Sequence, residues 1–290
     1  MPSRRTRSNT ARRSPDEHRS RNTPAYHSRY GHLTFARVVR SEWIKFRSLR
    51  STFWTYAIVL LLGLGITALI AFTIPETVLS QMSAAERGRL ILSAATGGIL
   101  IGQLIVAVLG VLAISGEYST GMIRSSFAAV PRRTPVFFAK ALVLFVCSFI
   151  VGLVTTIAGY AIAIPALTGK GLTFEFTAGT MWAILGAGLY LGLVSVFALG
   201  LGTILRSAAG GIAAALGVVF LLPIILNIVN GLTNIDWLKD VPKYLISTAG
   251  QALAGGTNAD FLPYQNVLIV VAWTAVSFVA GAIIMKRRDA

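Results

Sequence analysis

The chain has few charges for its size and few residues that do chemistry. Only 13% of its 290 residues are charged, about half the share usual in a soluble domain. It has one cysteine, Cys147, inside an apolar run. One cysteine excludes a disulfide framework and a cysteine metal cluster, and the residue reads as a small core side chain. The three histidines, His18, His27 and His32, all lie near the N-terminus. No HExxH pattern and no pair of aspartates occurs within the apolar runs, which argues against a zinc site or an intramembrane protease. No G-x-x-x-x-G-K-[ST] loop occurs either. The only Gly-Lys pair, Gly169-Lys170, lacks the first glycine and the hydroxyl, so the chain by itself is not an ordinary P-loop ATPase.

What fills the chain instead is hydrophobic residues, 54% of the total, with a mean hydropathy of +0.70. They gather in six runs, about 54–74, 93–114, 136–165, 180–205, 207–230 and 265–285. Each reaches the ~20 residues that cross ~30 Å of hydrocarbon at 1.5 Å per residue. The fourth and fifth are split only by Arg206. A charge there is costly in lipid, so the chain is expected to turn at that point. The predicted fold is an all-α membrane protein of six transmembrane helices, with one six-span domain over 32–290 and no separate soluble domain.

Residues 1–31 are rich in Arg, Ser, Asn, Thr and Pro. Such a tail buries too little apolar area to offset its ordering entropy, and disorder is expected. Its arginines either touch anionic lipid headgroups or mainly fix topology. The first long apolar run starts near Phe53, too late for a cleaved secretory signal. Between tail and first run, residues 33–51 place Phe35, Val38, Val39, Trp43, Phe46 and Leu49 at spacings of three and four among Arg37, Arg40, Lys45, Arg47 and Arg50. This pattern predicts a basic amphipathic helix along the inner membrane surface, an elbow into the first span.

With the N-terminus inside, the inner segments hold 21 lysines and arginines against five acids, and the outer loops five against six. The positive-inside rule therefore places both termini in the cytoplasm of a multi-pass plasma-membrane protein. It also accounts for the net charge of +15 without a nucleic-acid partner. The longest outer loop, 231–264, contains a semi-apolar piece too short to span. It is either a re-entrant or surface-lying helix at the outer mouth, or a packed loop.

No Asp, Glu or His lies at membrane depth, which weighs against an ion-coupled carrier. The polar residues within the runs include Gln103, Thr155, Thr156, Tyr160, Ser195, Asn227 and Asn230. Gln103, Thr155, Tyr160, Asn227 and Asn230 are the candidates for lining a substrate path; interhelical hydrogen bonding is the other use of such groups. Gly98-x-x-x-Gly102 and Gly188-x-x-x-Gly192 suit close helix packing, within the bundle or in a dimer. Pro223 is expected to kink the fifth run.

One interior stretch looks built to meet a water-soluble partner. Residues 115–131, SGEYSTGMIRSSFAAVP, form a polar island between the second and third runs. Met122, Ile123 and Phe127 give it an apolar side, Arg124 a charge, and Pro131 an end. A short helix held between two spans acts as a lever.

The segment GEYSTGMIRSSFAAVPRRTPVFFAK resembles the loop between the second and third spans of type-2 ABC exporter permeases, the separate membrane subunits common in actinobacteria and other Gram-positive bacteria. SEWIKFRSLRSTFW is similar to their elbow, and STAGQAL to the piece before their last span. The resemblance runs from about residue 33 to the C-terminus and leaves out the basic tail. It implies half of an ATP-driven exporter, paired as a homodimer or heterodimer and docked on a cytoplasmic ABC ATPase subunit. It implies no cofactor in this chain, since ATP would bind the partner. By the same analogy Glu117, Tyr118, Gly121, Met122, Ile123, Arg124 and Phe127 belong to the coupling helix, with Glu117 at the hinge, paired to a basic residue. The rival readings are a membrane sensor or immunity protein without transport, and an intramembrane enzyme acting on lipid.

Overall fold

The computed structural model describes residues 34–119, 133–233, 235–256 and 261–287. Among them the chain is helical and contains no strand. Six helices are long and apolar enough to cross a membrane: Arg50–Thr73, Arg89–Tyr118, Thr134–Thr168, Ala178–Leu205, Ala208–Leu232 and Pro263–Arg287. These are the six predicted runs, each slightly lengthened.

Helix α1 (Phe35–Ser48) precedes the spans. Leu49 leaves helical geometry at φ −79° and ψ 110°, and α2 (Arg50–Thr73) starts at once as span 1. The predicted elbow of 33–51 is thus cut short by the break at Leu49. The face that α1 turns inward also differs from the apolar stripe read in the sequence. Phe35, Trp43 and Leu49 are exposed, whereas Val38 and Glu42 are buried. Val38 packs with Val136 and Ala139 of α6 (Arg133–Thr168), which is span 3.

After the short helix α3 (Glu76–Gln81), span 2 is built from two helices, α4 (Ala84–Thr96) and α5 (Ile99–Ser119), joined at Gly97-Gly98. A capping box between Ser83 and Glu86 starts α4. Its reciprocal hydrogen bonds hold the Glu86 carboxyl below its ordinary value. Gly98 sits backbone to backbone against Gly63 of span 1: a Cβ at Gly98 would overlap the Gly63 backbone, and one at Gly63 would overlap the Thr155 methyl of span 3. The Gly-x-x-x-Gly pairs therefore serve packing within the chain.

Helix α7 (Ala178–Leu205), span 4, is the centre of the bundle. Its most apolar window is 72% buried, against 22% for spans 1 and 6 and 11% for span 5. It ends at Arg206, which takes a left-handed backbone at φ 50°. The expected turn is there, made by the residue whose charge made it necessary.

Span 5 is α8 (Ala208–Leu216), a π-helical turn over Gly217–Leu221, and α9 (Leu222–Leu232). The expected kink at Pro223 takes this form. Proline has no N–H and its ring crowds the carbonyl four residues back. A wider turn just before it absorbs the misfit, with the Leu222 N–H donating to the Gly217 carbonyl.

Beyond span 5 come α10 (Asp236–Asp240), a 3₁₀ turn (Val241–Tyr244) and α11 (Ile246–Leu253). The semi-apolar piece of the long loop is this last helix. Its Ile246, Ser247, Ala249, Gly250 and Leu253 are buried. Ile246, Ala249 and Leu253 join the core cluster that holds Tyr190 and Val194 of α7 and Val270 of α12 (Pro263–Arg287), span 6. Gly250 lies against the Tyr190 ring so closely that any Cβ would overlap it.

Candidate functional site

Glu42 is 3% exposed although it is a carboxylate on a surface helix. Burying a charge is tolerable only when it is paired and hydrogen-bonded. Lys140 supplies the pairing from the second turn of α6. Its Nζ lies 2.8 Å from Glu42 Oε2 and donates to Glu117 Oε1 at 2.9 Å. Lys45, one turn along α1, donates to Glu42 Oε1 at 2.8 Å and lies 3.6 Å from Glu117 Oε1. Two acids and two bases from three helices thus form one neutral cluster.

The cluster's electrostatics follow from this geometry. Burial pushes the Glu42 carboxyl up, but Lys140 and then Lys45 more than offset it and hold it below 4.5. Burial lowers the Lys45 ammonium, and Glu42 with Glu117 outweighs that and raises it above 10.5. Glu117 lies in the last described turn of α5 and is held there by the two lysines.

The next residue is tied to the other side of the bundle. The Arg206 guanidinium lies 5.3 Å from the centroid of the Tyr118 ring, within the range of a cation–π contact. Tyr118 also packs in a cluster with Phe137 and Leu144 of span 3, Leu199 of span 4 and Met285 of span 6. The last turn of span 2 is therefore held on one side by α1 and span 3, and on the other by the turn between spans 4 and 5.

The sequence placed Glu117 and Tyr118 in a coupling segment over 115–131. The structure assigns 115–119 to the end of α5, so both residues belong to the span itself. Gly121, Met122, Ile123, Arg124 and Phe127 lie outside the described residues. Glu42 and Lys45 were not singled out as site residues. The available signal was an acid isolated among five basic residues, at helical spacing with the inward-facing Val38.

The five candidate path-lining residues have separate surroundings, and among the described residues none hydrogen-bonds another. Gln103 is buried and accepts a hydrogen bond from the Tyr190 hydroxyl, joining spans 2 and 4. Thr155 is buried, donates to the Val151 carbonyl at 2.7 Å, and sets its methyl against Gly63. Tyr160 is buried beside Phe174, in a cluster with Ile91 and Leu167. Asn227 is exposed on span 5 and donates to the Pro223 carbonyl at 2.8 Å. Asn230 is half-buried on the same helix.

Six apolar spans with a buried ion cluster at the end of the second form a helical membrane-embedded bundle. Residues 38–234 match the model of a family described as ABC-2 family transporter protein. The match covers more than half of the chain and includes Glu42, Lys45, Glu117, Lys140 and Arg206. The chain belongs to that family and is a transmembrane ABC-transporter permease. No curated protein matches it.

Proposed function

We propose that this chain is one half of an ATP-driven exporter and that a separate cytoplasmic ABC ATPase drives it through the segment following Glu117. The observation that carries this reading is the buried cluster of Glu42, Lys45, Glu117 and Lys140 at the exit of span 2. A push on the segment after Ser119 enters the bundle there. It is passed by direct ionic contact to α1 and span 3, and by Tyr118 to Arg206 and the start of span 5.

The chain carries no phosphate loop, so ATP binds and is hydrolysed in the partner, and this chain needs no cofactor. The positive-inside count places the α1 end and both termini in the cytoplasm and α11 at the outer face. The second half, a copy or a paralogue, packs along span 5. That span is the least buried within the chain and presents Phe220, Ile224, Ile228 and Asn227 outward. Alternating closure of the two halves exposes a path first inward and then outward.

The test is affinity purification of the full chain from its native membrane in mild detergent, with mass spectrometry of what co-elutes. A roughly equimolar P-loop ATPase supports the reading. A stable, folded protein that reproducibly elutes without one overturns it in favour of a sensor or immunity role.

A further inference from the structure

A cavity of about 440 Å³ lies between α1, the start of span 1, the end of span 2 and span 3. Its walls change character along α5. One end is the ion cluster, with Lys45 partly exposed beside it. The other is apolar, made by Leu109, Leu112 and Val143. From Glu117 to Leu109 is eight residues, about 12 Å along the helix. A polar end and an apolar end at that separation fit an amphiphile and not a wholly polar solute.

The polar end favours negative charge. Helix α2 begins in the cavity wall, at Ser51 and Thr52. No side chain caps its first turn and no acidic residue lies in it, so the positive end of the helix dipole faces the cavity. Arg47 and Arg50 stand exposed at the same junction. The nearby acids, Glu42 and Glu117, are already engaged by Lys45 and Lys140.

We propose that this cavity binds one bilayer phospholipid with an anionic headgroup, its phosphate at Lys45 and the start of α2 and an acyl chain against Leu109, Leu112 and Val143. The bilayer around the spans supplies the ligand, and the bound lipid fastens α1 to the bundle beside the ion cluster. This inference rests on α1 lying along the membrane surface and not on the ATPase partnership, so its test contains no ATPase.

The experiment is native mass spectrometry of the full chain in detergent, titrated with phosphatidylglycerol and with phosphatidylcholine. The wild type is expected to hold one phosphatidylglycerol per chain in preference to phosphatidylcholine. Lys45→Gln is expected to weaken phosphatidylglycerol about fivefold, the effect of one basic side chain at an anionic surface, while phosphatidylcholine is unchanged. Leu112→Trp, which fills the apolar end, is expected to abolish retention of both. Equal affinity for the two lipids in the wild type overturns the proposal, as does a folded Leu112→Trp protein that retains lipid like wild type. If Leu112→Trp does not fold, the Lys45→Gln comparison decides, and an unchanged lipid preference there is the contrary result.

Discussion

Lys140 and Glu117 stand 23 positions apart in the chain, and their side chains meet at 2.9 Å with both residues buried. The ion pair ties the last described turn of α5 to the early turns of α6, and Glu42 reaches the same ammonium from α1 at 2.8 Å. Lys140 is therefore the shared cation of two buried carboxylates on different helices.

That sharing sets a cost for Lys140→Met. Of the two described cations that Glu42 and Glu117 share, Lys45 alone would remain. Breaking a buried pair from one side costs roughly 3–5 kcal/mol. Thermal unfolding in detergent is expected to show a loss of that order. Glu42→Gln with Lys140→Met should cost less than Lys140→Met alone, because one stranded charge is gone. Equal stability of wild type and Lys140→Met would mean that the cluster contributes nothing.

The cluster is also expected to set how α1 responds to pH. Glu42 is held below 4.5 when folded, so its contribution is complete above that value and is lost as pH falls through the lower, folded one. Lys45 is raised above 10.5, so its contribution is complete below that value and is lost as pH rises through the higher one. Between these limits the attachment of α1 should be flat. Hydrogen exchange of the α1 amides checks this, with protection constant across neutral pH and falling only in acid below 4.5 or in strong base.

Arg206 separates stability from transmission. Its left-handed backbone costs a residue with a Cβ about 1–2 kcal/mol relative to glycine. Its contact with the Tyr118 ring returns about 0.5–1 kcal/mol. Arg206→Gly should therefore fold with stability within about 1 kcal/mol of wild type. It is expected to lose transport while retaining ATP hydrolysis by the partner, since span 2 would no longer grip the turn into span 5. Wild-type transport in Arg206→Gly would remove this arm from the account.

At the opposite end of the bundle, Gly250→Ala would drive a methyl into the Tyr190 ring. The ring cannot withdraw freely, because its hydroxyl is bonded to Gln103 in the core. Tyr190→Phe leaves the Gln103 carbonyl buried without that donor, at a cost of about 1–3 kcal/mol. Both variants should lower the unfolding temperature. In Gly250→Ala/Tyr190→Phe the losses should not add, since both act on one ring.

The spans were legible because lipid imposes a simple rule. A helix surrounded by hydrocarbon must be long and apolar, and all six runs showed it, as did the turn forced by Arg206. The pairing of Glu117 with a lysine was legible only as an analogy, and Glu42 was missed. Periodicity shows which side of α1 is apolar, but here an exposed apolar side faces outward with Trp43 and Leu49, and the buried side holds a charge. Which face turns inward is a matter of tertiary partners almost a hundred residues further on, Lys140 for Glu42 and Val136 with Ala139 for Val38. The π turn before Pro223 and the fit of Gly250 against Tyr190 are likewise matters of tertiary contact, to which a local pattern is blind.

In the proposed coupling, force enters this bundle through Glu117. The direct test is reconstitution of the chain with its co-purifying ATPase in vesicles, measuring ATP hydrolysis and cargo movement together for wild type and Glu117→Gln. Gln keeps the shape and removes the charge that Lys140 and Lys45 hold. The expected result is hydrolysis near wild type with transport reduced at least about tenfold, a loss within the usual span of coupling energies. A folded Glu117→Gln complex that moves cargo as fast as wild type for each ATP hydrolysed would contradict the account.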